Sequence, residues 1–128
     1  MNILTHNTID KELCGTPIEQ KMGFCRIELK TSKRMAVDSH NLVHGGFVFG
    51  LADHAAMLAV NDPNVVLGSA SVRFLKPVQP DQLLIAEAHV QTEEGKKKNV
   101  HVKIMRKSDI VFDGDFVCFV LAKHVLDS

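Results

Sequence analysis

One stretch limits the fold more than any other. "HNLVHGGFVFGLADHAAMLAV", His40 to Val60, is almost wholly apolar, opens on His-Gly-Gly and carries one carboxylate, Asp53, in its middle. Between Gly45 and Val60 apolar residues fall on every side of a helical period, and Asn61-Asp62-Pro63 ends the helix because proline cannot continue it. A helix that is apolar all round is a buried helix, and a carboxylate inside it costs several kcal/mol unless it is paired or used. Asp53 therefore needs a reason to be there.

A buried helix needs a cover, and the rest of the chain supplies strands. "MGFCRIEL" (Met22 to Leu29) alternates loosely and suits a strand, with "RMAV" (Arg34 to Val37) as its short hairpin partner. The residues before Lys11 are polar, and Gly15-Thr16-Pro17 has turn chemistry. After the helix come "VVLGSASVRFLKPV", "QLLIAEAHVQT", "KNVHVKIMRK" and "DIVFDGDFVCFVLAKHVL". Pro77 to Pro80, Glu93-Glu94-Gly95 and Ser108-Asp109 separate them, Asp113-Gly114 reads as a bulge or tight turn, and Gly95 to Asn99 as a solvated hairpin turn. His101, Lys103 and Met105 alternate with Val102, Ile104 and Arg106, the pattern of an antiparallel sheet with one buried face. The expected fold is α+β, a curved antiparallel sheet of five to six strands wrapped around one long central helix. With 128 residues it is expected to form a single domain over 1–128, large enough to bury roughly two-thirds of its unfolded surface.

Composition removes several function classes. Lys plus Arg number 15 and Asp plus Glu 15, so no charge excess points to nucleic acid or an anionic membrane as partner. No apolar run reaches the roughly 18 residues of a membrane span, and the start lacks the regions of a signal peptide, so a cytoplasmic location is expected. Cys14, Cys25 and Cys118 are scattered and read as unpaired thiols. His40 and His44 precede the helix without the following Glu of a zinc motif, so no metal is expected.

Two features of the apolar helix can carry chemistry. First-turn amides lack intrahelical acceptors, and Gly45-Gly46 lets a ligand approach them, which makes an oxyanion site. A carboxylate in a cleft can act as a general base or a nucleophile. Two plainer readings stand beside these: the glycines permit a tight turn or close packing, and Asp53 with His54 marks a strip of helix that reaches solvent. Gly45 and Asp53 are eight residues apart, about 12 Å along a helix axis at 1.5 Å per residue. One carbonyl cannot touch both, so a shared reaction needs two helices side by side, as in a two-fold dimer.

"DSHNLVHGGFVFGLAD", "SVRFLKPVQPDQLLIAEAHV" and the closing strand pair resemble the hotdog-fold acyl-CoA thioesterases, in particular the group like the phenylacetate-degradation thioesterases, over about residues 20 to 125. The resemblance implies a hotdog fold, an acyl-CoA substrate with coenzyme A as its carrier and no separate cofactor, and a homodimer or dimer of dimers with sites at the subunit interface. It makes Asp53 the carboxylate that activates water or attacks the thioester, Gly45 the oxyanion donor through its backbone N–H, and His44 the residue that orders the turn or polarises the carbonyl. Asp38, Asn41, Gly46, Ser69 and Ser71 are the implied substrate-side residues, with the serine hydroxyls orienting acid or water. The family's Asn position holds Asp38 and its Gly position Asn41. A charged Asp38 beside the oxyanion would oppose it, so Asp38 stays protonated, points away, leaves its job to Asn41, or caps the turn before His44. Arg73, Lys76, Arg106, Lys107 and Lys96 to Lys98 are the cations available to coenzyme A phosphates. Two other functions compete. One is a non-catalytic acyl-CoA-binding protein of the same fold, against which Asp53 and the lack of an appended DNA-binding segment count. The other is a hotdog dehydratase or hydratase, whose acid–histidine motif is not found.

Overall fold

The computed structural model describes residues 1–127. A one-turn helix α1 (Lys11–Cys14) leads into strand β1 (Thr16–Lys21), β2 (Phe24–Lys30), a 3-10 turn at Lys33–Met35 and the long helix α2 (Gly45–Val60). Strands β3 (Val65–Phe74), β4 (Leu83–Glu94), β5 (Lys97–Arg106) and β6 (Asp109–Val120) follow. All six strands form one antiparallel sheet in the order β1-β2-β4-β5-β6-β3. Helix α2 touches every strand of it, so the sheet wraps the helix as the sequence pattern and the resemblance both implied.

The core follows from alternation. Cys25, Ile27 and Leu29 of β2, Leu84, Ala86 and Ala88 of β4, Val100, Val102 and Ile104 of β5 and Phe112, Phe116 and Cys118 of β6 are all buried on the inner face. Against them α2 sets Val48, Leu51, Ala52, Ala55, Leu58 and Ala59. Four of the helix's buried positions are alanines, which let a central helix lie close to a sheet. On the outer face, Glu19, Arg26, Glu87, Lys103, Asp113 and Arg73 occupy directly paired positions across all six strands, and their charges alternate from one edge to the other. Arg26 meets Glu87 at 2.7 Å, and Arg73 approaches Asp113 to 3.9 Å. Opposite charges at paired positions are each worth about 0.2–1 kcal/mol, and a one-residue slip would turn them inward.

Four expectations need correction. "RMAV" is not a strand: Lys33–Met35 is a 3-10 turn, and only Ala36 bridges the sheet pattern, to Val43. Thr16 and Pro17 are not a turn but the start of edge strand β1, where proline's missing N–H is tolerated; the turn is Gly15 alone, at φ 95°. Asp113-Gly114 does not interrupt β6. Gly114 pairs with both Val72 and Val102, and a Cβ there would stand 2.6 Å from the Val72 side chain, so this glycine serves close strand packing. The irregularity of that pair of strands lies at Ile104/Met105. The hairpin turn after β4 is shorter than Gly95 to Asn99, since Lys97 already belongs to β5.

Candidate functional site

The site begins at the loop before α2. Asp38 Oδ1 accepts backbone N–H bonds from His40 at 3.0 Å and Leu42 at 3.1 Å, while Asn41 takes the left-handed φ of 62° that asparagine tolerates. Asp38 thus holds the turn that delivers His44 to the helix start, the capping role among those open to it. Asp38→Asn keeps one acceptor oxygen, so it is expected to lower stability by at most about 1 kcal/mol and to leave turnover within about twofold, checked by thermal melts and initial rates on one substrate.

His44 is the N-cap of α2, but its side chain makes no cap hydrogen bond. Its backbone N–H goes to Met35 O at 2.9 Å, and its exposed ring stands edge-on to Phe47, centroids 6.1 Å apart. No side chain therefore caps the first turn, where the partial positive charge of the helix start is strongest. A side chain at either glycine would crowd a neighbouring ring. A Cβ on Gly45 would stand 3.2 Å from the Phe74 ring, and one on Gly46 3.0 Å from the His44 ring. Beside Gly45 lies a mostly apolar cavity of about 270 Å³ walled by Leu42, Val48, Phe74, Leu75 and Lys76 among others.

Asp53 is two turns further along. Gly46, Gly50 and Asp53 recur at helical spacing along one side of α2; Gly46 is exposed and the other two are half-buried. A Cβ on Gly50 would meet nothing within 4 Å, so space lies open on the approach to Asp53. The carboxylate is divided: its Oδ1 is buried and has no hydrogen-bond partner. Burial pushes its pKa above the usual carboxylate value. Its charge reaches two thiols, Cys14 and Cys118, both held up mainly by their own burial, Cys118 to about 12.

The protomer does not bring every candidate together. Asp53 is not in the wall of the cavity beside Gly45, as the 12 Å spacing within one helix requires. Ser69 and Ser71 pair with Val117 and Asp115, on the outer face of the sheet, whereas Asp53 is on the helix side. Of the basic candidates, Arg73, Lys76, Arg106 and Lys98 are engaged with Asp113, Asp109 and Glu93, while Lys96, Lys97 and Lys107 make no ion pair among the described residues. His54 departs from the sequence reading. One of the plainer readings sets it with Asp53 on a strip reaching solvent, but it is 2% exposed, and its Nδ1–H donates to Cys14 O at 3.0 Å. Among the described residues no helix is long and apolar enough to cross a membrane, and no three side chains gather as metal ligands.

Known proteins match this chain as follows. The family model of the thioesterase superfamily matches residues 40–112, from the loop before α2 into β6. The protein PH1136 of Pyrococcus horikoshii is 52% identical, with a TM-score of 0.98 over 99% of this chain and 98% of that one. A methylthioribose-1-phosphate isomerase of Aquifex aeolicus is 48% identical over 116 residues, which are 91% of this chain and 25% of the isomerase. The transcription factor FapR of Caldanaerobacter subterraneus subsp. tengcongensis is 28% identical over 116 residues, 90% of this chain and 58% of the factor. The chain thus spans a quarter of one of these curated relatives and less than two-thirds of the other.

Proposed function

We propose, from the premise that this chain belongs to the thioesterase superfamily, that it hydrolyses the thioester of an acyl-CoA to free acid and coenzyme A. The observation that carries the reading is the half-buried Asp53 on α2, with one oxygen buried and unpartnered, on a helix whose first turn is uncapped and held open by glycine. In the proposed reaction Asp53 takes a proton from water as the water oxygen bonds to the thioester carbon. The carbonyl oxygen, now negative, accepts from the Gly45 backbone N–H. The C–S bond then breaks, and the proton held by Asp53 passes to the leaving thiolate. A direct attack by Asp53, with an anhydride then hydrolysed, uses the same groups. His44 keeps the first turn open, and Gly46 and Asn41 leave room for the substrate's carbonyl end.

The two groups come from two copies of the chain. Strand β3 is an edge of the sheet, ten residues long, with most of its residues exposed and one side unpaired. Such an edge invites a second copy, and two α2 helices running antiparallel set Asp53 of one protomer against the Gly45 of its partner. Ser69 and Ser71 face away from Asp53 within a protomer, and edge pairing of β3 keeps them on the outer face, so the proposed reaction does not use their hydroxyls. A dimer or dimer of dimers is part of the proposal, as is a cytoplasmic location.

The match to a transcription factor supports a second reading, an acyl-CoA-binding module without turnover. Release of coenzyme A thiol from short, medium, long and aryl acyl-CoAs separates the two. A thioesterase turns over at least one of them far faster than buffer does; saturable binding with no thiol release from any would establish the binding module.

A further inference from the structure

The helix face that carries Asp53 changes character along its length. It is open over Gly50, one turn before Asp53, whereas Met57, one turn after it, is 1% exposed. The N-terminal segment is tied to this second half of α2 at two points. At the helix end, Asn61 Oδ1 accepts the Leu4 N–H at 2.9 Å and Asn61 Nδ2 donates to Asn2 O at 2.8 Å. Two turns earlier, His54 Nδ1–H donates to Cys14 O at 3.0 Å, a contact between residues 40 apart in sequence. Between the ties, the His6 ring stacks over His54 with centroids 6.3 Å apart and meets the Thr5 hydroxyl at 2.8 Å, while Ile3 and Leu13 pack on the core. The corner that follows is rigid, since a Cβ on Gly15 would lie 2.7 Å from Ile27 and 2.9 Å from Leu51.

We infer that residues 2–14 form a strap, pinned to α2 by His54 and Asn61, whose Cys14 corner keeps water from one oxygen of Asp53, and that His54 is accordingly a positioning residue for hydrolysis. The inference rests on the reading of Asp53 as the reacting carboxylate. Its physical content is desolvation: a carboxylate with one oxygen buried and unpartnered is a stronger base than a fully solvated one, and the helix face one turn before it, over Gly50, is open. The groups facing Asp53 from the elements around it are the Cys14 thiol of the strap and the Cys118 thiol of β6, both held neutral chiefly by burial. Facing His54 are His6 and Lys11, also on the strap. Burial lowers the pKa of His54 and of His6, so the pin works as a neutral donor and carries no charge toward the site. The strap acts on the basicity of Asp53 alone.

The test follows the pH dependence of kcat and of kcat/KM, with amide hydrogen exchange over residues 2–14, in the full chain and in His54→Leu, His54→Asn and Asn61→Gly. The last keeps the left-handed backbone of position 61, φ 54°, and removes only the clamp. His54→Leu and Asn61→Gly are expected to speed exchange across the strap about tenfold or more and to move the acid limb of activity down by about 0.5 pH unit or more, with KM within about twofold. His54→Asn, whose Nδ2–H stands where the Nδ1–H stood, is expected to return the limb toward that of the native chain. Faster exchange with an unmoved acid limb overturns the inference, and so does unchanged exchange in both pin variants. Asp53→Asn separates the two layers: native turnover in that variant removes the reading of Asp53 itself, whereas an inactive Asp53→Asn beside an unmoved limb removes the strap's role and leaves the reading standing.

Discussion

Asp53→Asn is expected to lower kcat on the best acyl-CoA by about 100-fold or more with KM within about threefold, because it keeps the side chain's size and removes its basicity. The same substitution is expected to make the protein more stable at neutral pH. Burial raises the folded-state pKa of Asp53, so the ionised form is disfavoured in the folded protein. The stabilising contribution of the neutral acid is fully present below the unfolded value near 3.9 and is lost as pH rises through the folded value. Above the folded value the native chain therefore carries a charged carboxylate with one buried oxygen that no donor satisfies, and the amide does not. The gain is about 1–3 kcal/mol above the folded value and shrinks as the pH falls toward the unfolded one, which a series of melting temperatures across pH for both proteins resolves. A residue that weakens the fold and carries the reaction is what a stability–function trade-off looks like at one position.

Much of this architecture is legible in the sequence, and the exceptions have physical causes. The helix bounds, Gly45 and Val60, follow from glycine at the start, an unbroken apolar period and Asn61 to Pro63 at the end. Strands β4 and β5 follow from clean alternation, and the row of alternating charge on the outer face is the other half of that pattern. Strand β1 is hidden because Pro17 and the polar residues around it look like a turn, and only its edge position makes them acceptable. The resemblance implies substrate-side roles for Ser69 and Ser71, and the face they occupy is set by the register shift between Leu67 and Ser69, which reverses the side taken by odd positions. Leu67 pairs with the inward Cys118, and Ser69 with Val117 on the other face. The burial of His54 is not legible in the sequence, because it depends on a segment 40 residues away that no local periodicity announces. What composition and spacing do reveal is the conflict that organises the site: a carboxylate in an apolar helix, too far from the helix start for one protomer to use both.

That conflict is resolved if Asp53 of one chain works with Gly45 of another, which subunit mixing tests. Gly45→Pro removes the N–H proposed as oxyanion donor at the first helical position, where proline is tolerated, although the Phe74 ring 3.2 Å from the site of a Cβ must give slightly. Each variant alone, Asp53→Asn or Gly45→Pro, is expected to lose about 100-fold or more of the activity, since in a homodimer every site lacks one group. When the two are unfolded together and refolded, half of the dimers formed at random are mixed, and each mixed dimer holds one site with both groups intact. The mixture is then expected to recover roughly a quarter of native activity, with a mass by light scattering of a dimer or a multiple of it. No recovery in a preparation whose mixed dimers are verified by mass, or a fully active monomer, would contradict the shared site.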